Sequence, residues 1–340
     1  MKRSVLIIIV SVLVFASLNS ETITLEEVLS PDSIFVSSDR IYITEGATIH
    51  IYSKSDKKYL GKFGKKGEGP GEINASRRGG LSFGLNIVKN NLFIHNRSKV
   101  MFFDKAGKFL KEKKLTGGFI RGLIPVGDNF VARSFKIGEN RSRTQSLTIY
   151  DKNFKKISEV AGRSNVEFTR GSFVKIYFDA NIFNIRAHKG IIYLNSSRDF
   201  VIERYSDKGK NITPIKLDYK LMNVSGARKD RIKSYFKNDS RFSGFWERIK
   251  DMFEVADQYP AIKKLFITGN RIYAQTFKRT DSGDEFYILD LKGKVLNRMY
   301  IAVGAKNILE DYPYFIENRT SYILNENEDE EEWELTVTNI

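Results

Sequence analysis

One phrase recurs along this chain: an apolar strand, an aromatic or aliphatic residue beside Asp or Ser, a Lys/Gly turn, then another strand. It reads Tyr52-Ser-Lys-Ser-Asp56-Lys57, Phe103-Asp104-Lys-Ala-Gly107-Lys108, Tyr150-Asp151-Lys-Asn153-Phe-Lys155, Tyr205-Ser-Asp207-Lys-Gly209-Lys210 and Leu289-Asp290-Leu-Lys-Gly293-Lys294. The steps between these anchors are 51, 47, 55 and 84 residues. A recurrence near fifty residues in an all-strand pattern is the signature of propeller blades, each packing on its neighbours, and predicts an all-β, six-bladed β-propeller.

Each anchor follows a short apolar or alternating strand: Arg40 to Ile43, Asn91 to Ile94, Asn129 to Ala132, Gly190 to Leu194 and Arg271 to Ala274, with a sixth at Ser321 to Leu324. After the anchor comes a further strand, at 59–63, 109–115, 157–160, 212–217 and 295–301. The sixth unit ends at Trp333 to Ile340 without one. An N-terminal strand, either Thr22 to Leu25 or Ser33 to Val36, is expected to complete it, removing a sheet edge that would otherwise invite aggregation.

The longest step contains sequence of helical period. Phe245, Ile249, Met252, Phe253 and Ala256 fall on one helical face, Pro260 lies just past the end, and a weaker helix is expected from Ala227 to Phe236. Residues 222–260 are therefore read as a helical insertion between blades four and five, its aromatic stripe buried against one face of the disc.

Residues 1–20 carry Lys2 and Arg3, an apolar run from Val5 to Ala16 broken by Ser11, then Ser17, Asn19 and Ser20. This is the three-part pattern of a secretory signal peptide, too short in its apolar core for a comfortable membrane span. Leu18 stands where a smaller residue is commoner, which leaves an uncleaved anchor as the alternative. The expected organisation is a signal peptide at 1–20, a propeller at 21–340 and an exported protein, periplasmic or extracellular, with no transmembrane span once the signal is removed. The chain has no cysteine, so disulfides, thiolate metal sites and a lipid-modified N-terminal Cys are excluded. Removal of Lys2 and Arg3 lowers the formal charge from +15 to +13. So basic a surface suits anionic partners, and export makes an anionic small molecule, a glycan or an envelope protein the expected partner rather than nucleic acid.

The strand ending at Phe63 runs into Gly64-Lys-Lys-Gly67-Glu68-Gly69-Pro70-Gly71-Glu72-Ile73. This segment resembles the G-x-x-G-x-G-P-G-E signature of the bacterial exported six-bladed β-propeller family, relatives of the NHL-repeat propellers. Tyr259-Pro-Ala-Ile-Lys-Lys-Leu-Phe266 is similar to that family's Pro-x-Ile-x-x-Leu lead-in to the fifth blade. The six units span essentially all of residues 21–340. The chain departs from the family in its basicity, and only Asp104 to Gly107 and Asp290 to Gly293 keep the Asp-x-x-Gly spacing of many NHL repeats. By itself the motif reads as structural: Gly64, Gly67, Gly69 and Gly71 permit positive φ or close approach, Pro70 stiffens the crossing between blades, and Glu72 follows. It is neither a phosphate loop nor a dinucleotide loop, because no Gly-Lys-Ser/Thr ends it and no helix follows. The alternative is a loop whose Glu68 or Glu72 reaches an axial ligand.

Candidate chemistry is sparse. The histidines are His50, His95 and His188, on three different blades; meeting at the axis, they would reproduce the metal arrangement of NHL-type lyases that the resemblance brings to mind. Glu326 to Glu332 reads as a solvated hairpin tip, with calcium as its alternative ligand, and no Gly-x-Ser-x-Gly occurs. Arginines between strands are the stronger group, because guanidinium forks suit carboxylate, sulfate or phosphate and propeller ligands sit where loops converge on the axis. Arg77, Arg78, Arg121, Arg170 and Arg186 are the candidate ligand-binding residues. No catalytic residue, metal ligand or cofactor is assigned. The sequence reading is a non-enzymatic exported propeller binding an anionic or glycan-like ligand, or a protein partner, through one face; the alternative is a metal-dependent lactonase- or lyase-type propeller enzyme.

Overall fold

A computed structural model describes residues 20–74, 83–88, 90–96, 99–115, 121–137, 143–160, 176–177, 184–240 and 242–340. Six four-stranded antiparallel sheets are arranged as the blades of a propeller. From axis to rim, blade 1 runs Ser33–Val36, Arg40–Glu45, Thr48–Ser53 and Tyr59–Phe63, and blade 2 runs Gly84–Val88, Asn91–His95, Lys99–Phe103 and Phe109–Lys114. Blade 3 comprises Arg121–Val126, Asn129–Ile137, Arg143–Tyr150 and Lys156–Val160; blade 4 comprises Asn184–His188, Ile191–Asn195, Val201–Ser206 and Asn211–Lys216. Blade 5 holds Lys264–Thr268, Arg271–Thr280, Gly283–Asp290 and Val295–Ile301. Blade 6 takes Tyr314–Glu317, Thr320–Asn327 and Glu332–Asn339 from the end of the chain and its rim strand, Ser20–Thr24, from the beginning.

That last pairing closes the ring. Ser20 to Thr24 run antiparallel to Glu334 to Thr338, with Ile23 opposite Leu335, and Leu25 N–H donates to the Trp333 carbonyl at 2.7 Å. Of the two segments expected to complete blade 6, the earlier one does so. Ser33–Val36 is instead the axial strand of blade 1.

Burial follows from this geometry. The second and third strands of each blade are covered on both faces by neighbouring blades, so Ile41, Tyr42, Ile43, Ile49 and Ile51 are all buried although they alternate in direction. Rim strands are half solvated: Phe109–Lys114 is almost wholly exposed and carries four lysines or glutamates, a charged edge that resists pairing with another chain. Among the described residues, buried apolar side chains form one cluster at each seam between blades. Leu25, Ile41 and Trp333 close the seam of blades 6 and 1, while Phe93, Val100 and Phe130 fill that of blades 2 and 3.

The recurrent phrase is the turn between the third and fourth strands. Asp104 Oδ1 accepts from the N–H groups of Ala106 and Lys108 at 2.9 Å, Asp151 Oδ1 from Asn153 and Lys155 at 2.8 Å, and Asp290 Oδ1 from Lys292 and Lys294 at 2.8 and 2.9 Å. Ser206 does the same with its hydroxyl. The turn then needs a residue with positive φ, filled by Gly107 at 86° and Gly293 at 100°. A Cβ on Gly293 would come within 2.7 Å of Ile215 on the rim strand of blade 4. The turn thus packs each blade onto the preceding one, which is why the phrase repeats. In blade 3 Phe154 holds the position at φ 63° and packs 4.8 Å from Phe130 and 6.5 Å from Phe93 of blade 2.

The insertion lies in sequence between the fourth and fifth blades and differs from the expectation in detail. A 13-residue helix, α1 (Gly226–Asn238), is capped by Ser225, whose side chain accepts from Arg228 N–H, and buries Ile232 and Phe236. A shorter helix, α2 (Ser243–Ile249), buries none of its residues, and Phe245 is 39% exposed. Helical period does not continue to Phe253: residues 250–252 form one 3₁₀ turn, and Phe253–Glu254 pair in parallel with Ile176–Tyr177. The expected single stripe is therefore corrected, since Phe253 and Ala256 are buried but Phe245 is not and Ile249 is only half-buried. The reason is that Phe253 and Val255 join α1 residues and Val224 in a small core of their own, extended by Ile308 and Leu309 from the loop before blade 6.

Candidate functional site: a basic, aromatic axial cavity

The first strands of the blades ring a cavity of about 1180 Å³. Its walls are mostly apolar, with Phe35, Leu85, Ile124, Phe266 and Phe315 among the residues contributed by five different blades. The loop at 306–313, before the last axial strand, forms part of one side. This loop is braced from outside, where the Arg228 guanidinium of α1 donates to the Ile308 carbonyl.

Of the four cationic residues that line the cavity, Arg186, Lys263, Lys264 and Lys306, two stand against the Phe266 ring. Lys264 begins the axial strand of blade 5, and its Nζ sits 3.8 Å from the centre of the Tyr314 ring and 5.0 Å from that of Phe266. Arg186, on the axial strand of blade 4, places its guanidinium carbon 5.7 Å from the same Phe266 centre. Both are half-buried and held by ring faces, an attraction of about 0.5–2 kcal/mol. Neither forms an ion pair with any described residue; Arg186 Nη1 donates to the Ile185 carbonyl at 2.8 Å.

Acids are present but engaged elsewhere. Asp311 Oδ1 is 2.6 Å from Lys263 Nζ and 3.0 Å from Arg279 Nη2, and its Oδ2 accepts from Gln275 Nε2 at 3.1 Å. Gln275 Oε1 in turn accepts the Tyr314 hydroxyl proton at 2.6 Å, fixing the ring under Lys264. Asp284, buried, takes both arms of the Arg279 fork at 2.9 and 3.0 Å. Asp32 accepts from Gly46 N–H and Glu310 from the Asn307 amide. The carboxylates at the seam of blades 5 and 6 are thus engaged by other groups, and Arg186 and Lys264 have no ion-pair partner among the described residues.

Protonation reflects this imbalance. Burial, then the neighbouring Arg186 charge, brings the Lys264 ammonium down to about 7 against the partial pull of Asp311. Burial also lowers Arg186, which stays protonated because a guanidinium starts so high. Tyr314 is raised well above its ordinary value by burial and by Asp311 and Asp284, and remains neutral.

The sequence candidates are distributed as follows. Arg186 lines the cavity. Arg121 is the first residue of the axial strand of blade 3, opposite Arg133. Arg77, Arg78 and Arg170 lie outside the described residues, as does the segment 1–19 that carries most of the signal-peptide reading. Lys264, Asp311 and Tyr314 were not among the candidates. A signal existed in Lys263-Lys264, set between Ile262 and Leu265 in an otherwise apolar lead-in, since adjacent cations in a strand that must reach the axis need a partner there.

The three histidines do not converge. His50 bonds Glu45 at 3.1 Å, His95 accepts from Leu123 N–H at 2.8 Å across the seam of blades 2 and 3, and His188 bonds the Gly269 carbonyl at 2.7 Å. Among the described residues no three His, Asp or Glu side chains are grouped to hold a metal ion. The acidic run forms the tip between the last two strands and is solvated there. No helix among the described residues is long and apolar enough to cross a membrane.

The glycine motif joins blades 1 and 2. Gly67 N–H donates to the Ile73 carbonyl and Ile73 N–H to that of Lys65, folding the segment back on itself. Gly69 N–H donates to Glu72 Oε2 at 3.0 Å and Gly71 N–H to Glu112 Oε2 at 3.0 Å. Gly71 has φ 70° and would bring a Cβ within 2.9 Å of the Phe109 ring. Gly64 turns the chain out of blade 1 at φ 96°, and none of Gly64, Gly67, Gly69, Pro70, Gly71 and Glu72 lines the cavity.

The whole ring is found in solved structures. A protein of Bacteroides fragilis assigned as exported superposes with a TM-score of 0.55 over 94% of both chains at 13% identity. A duf4221-family member from Bacteroides vulgatus gives 0.51 at 11% identity, over 94% of this chain and 96% of that one. At such identities the likeness shows the six-bladed fold. No protein-family model and no curated protein matches this sequence.

Proposed function

We propose that this protein is an exported binding module whose axial cavity takes an organic anion, its charged group between Arg186 and Lys264 and its apolar body along the ring of aromatic and aliphatic residues. The observation that supports this reading most directly is a pair of cations on an apolar cavity wall with no carboxylate partner among the described residues. Burying charge without a partner is costly, and a ligand carboxylate, sulfate or phosphate would offset it with charge-assisted hydrogen bonds of about 1.5–3 kcal/mol each. A cavity of about 1180 Å³ holds a small molecule with room for water. The signal-like first twenty residues and the high positive charge support export and an anionic ligand.

Thermal unfolding in the presence of carboxylates of increasing apolar length, with matched alcohols as neutral controls, tests the reading. Acids should raise the midpoint in proportion to RT ln(1 + [L]/Kd) and alcohols should not. Arg186→Met combined with Lys264→Met should abolish the acid effect. Equal shifts in the native and doubly substituted proteins would place anion binding on the general basic surface and end the cavity reading.

A further inference from the structure

We infer that Lys264 is an imine-forming amine, and that the ligand class of the cavity is an oxo acid: an aldehyde or ketone that also carries a carboxylate. This deepens the anion-binding reading and rests on it.

The geometry separates two jobs that a single pair of cations could have shared. Arg186 offers a planar fork of donors that cannot be deprotonated, suited to a carboxylate. Lys264 offers one primary amine on a flexible stem, seated over the Tyr314 ring in a cavity of apolar walls rather than paired with an acid. A lysine kept only for charge would be expected to share Asp311, yet the adjacent Lys263 takes that carboxylate together with Arg279. Groups facing Lys264 from the surrounding elements are Arg186 from blade 4, Tyr314 from blade 6, and Asp311 from the loop before it. Burial, then Arg186, with a smaller push from the adjacent Lys263, favours the neutral amine while Asp311 opposes it, and the balance leaves the ammonium near 7. A partly desolvated lysine beside another cation is the setting in which an amine becomes a nucleophile at neutral pH.

In the reaction the neutral Lys264 nitrogen adds its lone pair to the carbonyl carbon, and the carbonyl oxygen takes up a proton to give a carbinolamine. Transfer of one nitrogen proton to that oxygen lets it leave as water and gives a protonated imine, so one water is released, the single proton taken up comes from solvent, and no oxidant or reductant is consumed. The positive imine nitrogen keeps the charge balance of the cavity while the ligand carboxylate answers Arg186.

The test is borohydride trapping, in which hydride adds to the imine carbon and fixes the ligand as a secondary amine. The full-length protein is treated with pyruvate, 2-oxoglutarate or 4-oxopentanoate, reduced, and mapped by peptide mass, with pentanoate as a competitor lacking the carbonyl. Labelling at Lys264 should exceed that at exposed Lys155 by at least about tenfold near pH 7, because an ordinary lysine is almost fully protonated there. It should fall with added pentanoate and be lost in Lys264→Arg, whose thermal unfolding checks that the ring is intact. Labelling of Lys264 no faster than Lys155, with pentanoate still stabilising the protein, would overturn the imine and leave the anion site standing. If pentanoate fails to stabilise as well, the anion site falls and this inference with it.

Discussion

Lys99 Nζ lies 2.9 Å from Glu112 Oε2 and 2.5 Å from the Gly69 carbonyl, so one buried ammonium fastens the glycine-rich crossing from blade 1 to the sheet of blade 2. Glu112 completes the arrangement by accepting the Gly71 N–H and is held below the usual carboxylate range chiefly by the Lys99 hydrogen bond. Lys99→Met should lower stability by about 2–4 kcal/mol, since it strands the Gly69 carbonyl and an anion that is only partly exposed. Urea unfolding measures this. A loss under 1 kcal/mol would mean that water replaces the ammonium and that the crossing holds without it.

Ring closure depends on the first described strand. Removing Ser20 to Thr24 should expose the edge of Glu332–Asn339, lower the unfolding midpoint and promote association through the freed edge. Light scattering and thermal unfolding of the truncated chain report both effects. A monomer of unchanged midpoint would show that blade 6 stands on three strands.

The repeated turn makes a local prediction. Gly293→Ala should destabilise by about 1–3 kcal/mol, combining a φ of 100° that Ala resists with crowding against Ile215. Asp290→Ala, which removes acceptors for two backbone N–H groups, should cost about 1–2 kcal/mol. Chemical denaturation of the two variants ranks them.

His95 provides an acid-side signature. Burial brings it down to about 4, while the unfolded imidazole has its ordinary value of 6.5. Between these values the unfolded state binds the extra proton, so stability falls as pH drops from 6.5 to about 4, by about 3 kcal/mol in total from this group. His95→Gln should flatten that part of the profile of unfolding free energy against pH.

The cavity should respond on the alkaline side. Lys264 ordinarily titrates at 10.5 and in the fold at about 7. The unfolded state therefore holds the extra proton between 7 and 10.5, and the ligand-free protein gains stability from this group as pH rises through that window. Anion affinity runs the other way, falling by up to about tenfold per pH unit above 7 as the ammonium discharges. Calorimetric titration of pentanoate at several pH values tests the slope, which Lys264→Arg should remove.

Much of the ring was legible because its cause is periodic. The Asp or Ser of the anchor, its turn and the two strands beside it repeat in sequence, and each copy does the same work against the previous blade. What escaped was most of the axial strands; Ser33–Val36 was read as a strand but offered to blade 6. Gly84–Val88 is half-buried at every position, lying between a blade and an open cavity, so its burial does not alternate along the strand. The helical stripe failed for a related reason: Phe245, Ile249 and Phe253 share a period, but the chain leaves the helix before Phe253 to pair with another strand.

By itself, then, the sequence determined the number of blades and the turn that joins each to the last, because these depend on residues near one another in the chain. Tertiary structure alone decided the site. Arg186, Lys264, Asp311 and Tyr314 come from three blades and a loop, and Lys264 differs from its neighbour Lys263 only in where the ring places it: one ammonium meets Asp311 and the other meets Tyr314 and Arg186. Which of two adjacent lysines meets a carboxylate and which meets a ring and a guanidinium is a matter of distance across strands far apart in sequence.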